Sequence, residues 1–203
     1  MAEPVLRNWT VEEFFAWQET QPDRYELVDG RPLKMMAGAK NVHDDIVVNL
    51  IAELRAQLRG GGRRPFTGDG AVETRPGQIR RPDVGVDCGR RDPNATTAAL
   101  PKLLIEVLSP STRDFDSFAK LEEYKRMASV DYVGLIEPNE PLAYFWRRNA
   151  QGSWVEERVR GLDGAIEAPG LAVALQMAAI YEGVEFTPVG LGLAAENERS
   201  REG

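Results

Sequence analysis

The order of periodic segments predicts an α/β fold, a mixed β-sheet with helices on both faces. Three observations carry that expectation. Amphipathic helical segments alternate with hairpins and short strands, residues 102–108 read as a buried strand, and 203 residues with 42% hydrophobic side chains suit one domain with a substantial core.

The first helix starts at "TVEEFF", where Thr10 is the N-cap, Glu13 completes a capping box, and Trp9 with Phe14 form a hydrophobic staple. "RYELVDGRPLKMM" reads as two strands around Asp29-Gly30, and Glu26 shares a strand face with Val28. Residues 41–58 form a long helix with Val47, Leu50, Ile51, Leu54 and Leu58 as its apolar stripe, ended by Gly60, Gly61 and Gly62. Strands follow at 71–74 and in "RPDVGVDC", where Val84, Val86 and Cys88 alternate with Asp83, Gly85 and Asp87. A polar loop at 89–99 leads to the buried strand, then a helix at 114–128 and a strand at 131–137. A hairpin at 142–147 and 154–159 precedes a strand-to-helix or helical close in "APGLAVALQMAAIYEGV". The expected domain spans 1–190, and 191–203 is polar, without period, and reads as a flexible tail.

Composition narrows the function. One cysteine, Cys88, excludes an intrachain disulfide framework and a cysteine-based zinc site, and fits a reducing compartment. No basic-then-apolar leader opens the chain and no apolar run approaches the roughly 20 residues of a membrane span, so a cytoplasmic protein without membrane contact is expected. The net charge of −7 opposes bulk attraction to nucleic acid, so any such binding rests on local patches. Four arginine doublets occur (63–64, 80–81, 90–91 and 147–148), a pattern usual for solvated loops.

In the buried strand Leu104, Glu106 and Leu108 point one way, and Leu103, Ile105 and Val107 the other. A carboxylate on an apolar face needs a cation or several donors, or its pKa rises. A structural ion pair would meet that need. So would a metal: Asp83, behind Pro82 on the neighbouring candidate strand, with Glu106 and the Val107 carbonyl, makes an oxygen-only set suited to magnesium. Lys120 shares a helical stripe with Tyr124 and Met127 and could serve a phosphate, although an exposed pair with Asp116 explains it equally.

"YELVDG", "RPDVGV", "LLIEVLSPSTRDFD", "KLEEY", "YVGLIEP" and "APGL", in that order over roughly residues 20–183, resemble the Uma two family of restriction endonucleases in the PD-(D/E)XK nuclease group. The resemblance implies a restriction-endonuclease-like fold and a site dependent on Mg2+, with Mn2+ as a substitute, that hydrolyses phosphodiester bonds in DNA. By position, Asp83 and Glu106 are its catalytic acids and metal ligands. The group's lysine ordinarily stands two residues after the acid, where this chain has Leu108; Lys120, from the next helix, is the matching catalytic position. Glu26, His43 and Ser109 are supporting positions. His43 would bond Glu26 or a site carboxylate. In "SPST" the simplest reading is helix capping by Ser111 or Thr112; alternatively the free amides of that helix start would receive a substrate phosphate, with Ser109 or Arg113 helping. A catalytically silent binding or assembly module with the nuclease fold is the alternative, and a phosphohydrolase of small nucleotides a third. Cleavage of two strands implies a homodimer; Phe145 and Trp146 in the terminal hairpin could be exposed aromatics that pair subunits, although core packing explains them as well.

Overall fold

A computed structural model describes residues 8–35, 40–109 and 116–186. Helix α1 (Val11–Gln18) begins as its sequence dictates: the Thr10 hydroxyl accepts from the Glu13 N–H at 3.2 Å, and the Glu13 carboxylate accepts from the Thr10 N–H at 3.0 Å. Strands β1 (Tyr25–Val28) and β2 (Arg31–Lys34) turn on Asp29 and Gly30, whose φ values of 49° and 72° define a tight hairpin with two left-handed residues. Helix α2 (Asn41–Gln57) follows, then β3 (Arg64–Thr67), β4 (Val72–Arg75), β5 (Gln78–Arg80) and β6 (Val84–Asp87). Strand β7 (Pro101–Val107), helix α3 (Asp116–Arg126) and strand β8 (Tyr132–Glu137) form a crossover, so β7 and β8 run parallel. The chain continues through β9 (Leu142–Arg148), β10 (Trp154–Arg160), β11 (Ala165–Ala168), a 3-10 turn at Pro169–Leu171, β12 (Val173–Gln176) and α4 (Met177–Ile180).

The main sheet has the order β10-β9-β8-β7-β6-β3, and the smaller one β2-β1-β5-β4. β7 is interior to its sheet, with one helix on each face. Leu103, Ile105 and Val107 join Ile46, Leu50 and Leu54 of α2, while Leu104 joins Leu121 and Tyr124 of α3. Each fully buried aliphatic side chain contributes about 1.5–3 kcal/mol, so this double packing fixes the register of β7. In the smaller sheet Leu27 and Ile79 pack on Phe14 of α1. Side chains alternate along a strand, so Glu26 and Arg80 emerge on the opposite face, where they meet α3.

Three expectations are corrected. β3, β5 and β11 lie in segments where the sequence predicts no strand. Arg80 and Arg81 are buried, not solvated. Phe145 and Trp146 are only 1% and 7% exposed, because β9 is covered on both faces; neither offers a surface for pairing subunits. Ser111, Thr112, Arg113 and the tail at 191–203 lie outside the described residues.

Candidate active site

Glu106 stands where strand alternation puts it, on the α3 face of β7, and is 7% exposed. The Tyr124 hydroxyl donates to its Oε1 at 2.6 Å. The ammonium of Lys120, one helical turn before Tyr124, lies 3.8 Å from the same oxygen and 3.0 Å from Glu26 Oε1. Lys120 thus turns inward and bridges two carboxylates from different sheets.

Glu26 is held far more completely. It accepts from Arg80 Nη1 at 2.9 Å and from the Arg81 backbone N–H at 2.9 Å, in addition to Lys120. Arg80 in turn reaches back to α3, donating to both oxygens of Glu123 at 2.9 and 2.6 Å. A chain of alternating charge therefore runs from Glu106 through Lys120, Glu26 and Arg80 to Glu123. Among these five described residues three carboxylates face two cations, a shortfall of one positive charge.

The deficit falls at Glu106. Burial, together with the nearby charges of Asp83 and Glu26, outweighs Lys120 and the Tyr124 hydrogen bond and pushes its pKa up to about 8. Burial and the Glu106 charge also push the Tyr124 phenol well up, so it stays a donor. Glu123 moves the other way: burial opposes its ionisation, but Arg80, Gln78 and Thr74 overcome that and lower its pKa.

Asp83 approaches from just before β6. Its Oδ2 accepts from the Val107 N–H at 2.8 Å and lies 3.3 Å from His43 Nε2. The hydrogen bond to Asp83, then the charges of Asp83 and Asp44 and a backbone bond to Val107, raise the His43 pKa against the effect of burial. The Val107 N–H is thus committed to Asp83, while its carbonyl oxygen has two lone pairs and could still bind a metal. A cavity of about 590 Å³ opens onto Asp83 and His43, walled by Val47, Arg55 and Thr67.

The predicted residues thus fall into two connected groups: Glu106, Lys120 and Glu26 around α3, and Asp83, Val107 and His43 beside α2. The hydrogen bond from the Val107 N–H, one residue after Glu106, to Asp83 links them. Ser109 is half-buried just beyond β7. Sequence reasoning missed the roles of Arg80, Glu123 and Tyr124.

Two of these residues could together hold a divalent ion. Among the described residues no group of three or more His, Cys, Asp or Glu could hold a metal alone. Asp83 and Glu106 supply two hard oxygen donors, the kind of set that suits magnesium, an ion that binds few carboxylates and keeps its waters.

The mixed sheet flanked by helices defines a restriction-endonuclease-like fold. A solved structure described as a putative nuclease belonging to DUF820, from Anabaena variabilis ATCC 29413, superposes with a TM-score of 0.65 at 19% identity, over 87% of this chain and 99% of its own. The chain belongs to the Uma2 family, described as "Putative restriction endonuclease", whose model matches residues 11–179. A relative from Synechocystis sp. (strain ATCC 27184 / PCC 6803 / Kazusa), the uncharacterized protein slr1290, is 29% identical over 177 residues, spanning 86% of this chain and 92% of the relative.

Proposed function

We propose that this protein is a divalent-metal-dependent endonuclease of the PD-(D/E)XK type that hydrolyses phosphodiester bonds in DNA. The observation that carries the reading is the buried Glu106 carboxylate with too few partners, beside a lysine and near a second acid. Family membership supports the reaction class. Asp83 and Glu106 would hold Mg2+ or Mn2+, which supplies charge neutralisation at the phosphoryl oxygens and a more acidic bound water. Tyr124 fixes one oxygen of Glu106, so that carboxylate meets its ligand in a single orientation. Glu26, itself held by Arg80, keeps the Lys120 ammonium beside Glu106, where it would offset negative charge developing on phosphorus. His43 keeps Asp83 in place through its Oδ2.

Cleavage of supercoiled plasmid DNA tests the reading. Wild type is expected to nick or linearise it with magnesium or manganese and to be inert in a chelator. Lys120→Ala is expected to lose about 10²–10³-fold in rate, and Asp83→Ala or Glu106→Gln essentially all activity. Equal cleavage by wild type and Glu106→Gln would overturn it.

A further inference from the structure

Five arginines converge where α2 ends. Arg55, Arg59, Arg63, Arg64 and Arg91 line a cavity of about 570 Å³, with Gly60 and Gly62 in its wall and no acidic side chain in its lining. In a chain of net charge −7, such a gathering of like charge is costly to leave unanswered.

Two of the five have structural tasks. Arg63 donates to the Leu171 carbonyl at 2.6 Å, and Arg64 binds Asp87 at 2.5 Å and the Gly89 carbonyl at 2.9 Å. The other three, Arg55, Arg59 and Arg91, are exposed and form no ion pair with a described residue. Complementing the negative end of α2 would account for Arg55 and Arg59, but Arg91 comes from the loop after β6.

The cluster is continuous with the candidate active site. Arg55 also lines the cavity that opens onto His43 and Asp83, and it joins Arg64, Arg90 and Arg91 around a third cavity of about 410 Å³. At 1.5 Å per residue, Arg55 stands about 18 Å along α2 from His43, and Arg59 follows just past the helix end at Gln57, itself about 21 Å from His43. That span equals about five to seven nucleotides of a duplex strand rising 3.4 Å each.

We propose that this arginine-lined groove seats the sugar-phosphate backbone of duplex DNA, about five to seven nucleotides from the bond presented to Asp83 and Glu106. A guanidinium holds a phosphate through two parallel N–H donors, a geometry that lysine lacks. Contacts of this kind set position and register and carry no sequence information. The assignment to DNA rests on the nuclease reading; the anion-binding character of the groove does not.

Fluorescence anisotropy of a labelled DNA duplex, titrated across salt concentrations with calcium in place of magnesium, tests it. The triple variant Arg55→Ala, Arg59→Ala, Arg91→Ala is expected to reduce the slope of log affinity against log salt by about 2.7. Its binding is expected to weaken on the order of a hundredfold at 0.1 M salt, alike for unrelated duplex sequences. The matching triple lysine variant is expected to retain the charge and most of the salt slope, and thermal melts check that each variant folds. An unchanged slope and affinity in a folded triple alanine variant overturns the proposal, as does preferential binding of an RNA duplex by the same arginines. A changed slope in a protein that cleaves nothing leaves the groove standing and the nuclease reading fallen. Plasmid cleavage with no slope change removes the groove and leaves the nuclease standing.

Discussion

Glu26 and Glu106 are both buried glutamates, each on a strand and each facing Lys120, yet they are supported very differently. Glu26 has an arginine, a backbone N–H and the closer approach of the lysine. Glu106 has one phenol and a lysine at 3.8 Å. Burial of a charge therefore does not mark a reactive acid by itself. A buried acid whose donors fall short keeps its proton near neutrality or takes a cation, whereas a saturated one is part of the frame.

The largest expected effect separates the two. Glu26→Ala strips Lys120 and Arg80 of a shared counter-charge in a buried setting and is expected to cost about 3–5 kcal/mol in urea unfolding. Glu106→Gln keeps the shape and removes the poorly supported charge, so it is expected to match or exceed wild-type stability at pH 8. The sign follows from proton linkage. The folded-state pKa is raised from 4.5 to about 8, so the folded state binds more protons across that window. The wild type then loses stability as pH rises through it, and the glutamine variant does not share that loss. Equal destabilisation by the two substitutions would erase the distinction.

Tyr124→Phe sharpens the comparison at intermediate size. It removes the phenol donor to Glu106 and leaves the Glu26 cluster intact, at an expected cost of about 1–2 kcal/mol in the same unfolding measurement. The smallest effect concerns His43. Its pKa is raised above 6.5 chiefly by the hydrogen bond to Asp83, so its contribution is complete below 6.5 and disappears as pH rises through the folded-state value. His43→Ala is expected to cost about 1 kcal/mol at pH 6 and less at pH 9, measured by urea unfolding at each pH.

Much of this was legible in the residues. The alternation of Leu104, Glu106 and Leu108, the capping box at Thr10 and the Asp29-Gly30 turn depend on short-range geometry, and each takes the predicted form. The support around Glu26 was not legible, because β5 has three residues, too few to show a period, and Arg80 sits in a doublet that resembles a solvated loop. Phe145 and Trp146 misled for a related reason. A terminal hairpin ordinarily exposes one face, but β9 lies between β8 and β10 with packing on both sides. Long-range cover, unlike local periodicity, leaves little trace in a single chain.

Direct observation of the Glu106 carboxyl carbon by NMR, titrated with and without magnesium, tests the account at its centre. In the metal-free protein the resonance is expected to titrate near pH 8; with saturating magnesium it is expected to be ionised well below that, with the shift abolished by Asp83→Asn. A Glu106 carboxyl that titrates near 4.5, the ordinary glutamate value, in the absence of metal and is indifferent to magnesium would contradict it.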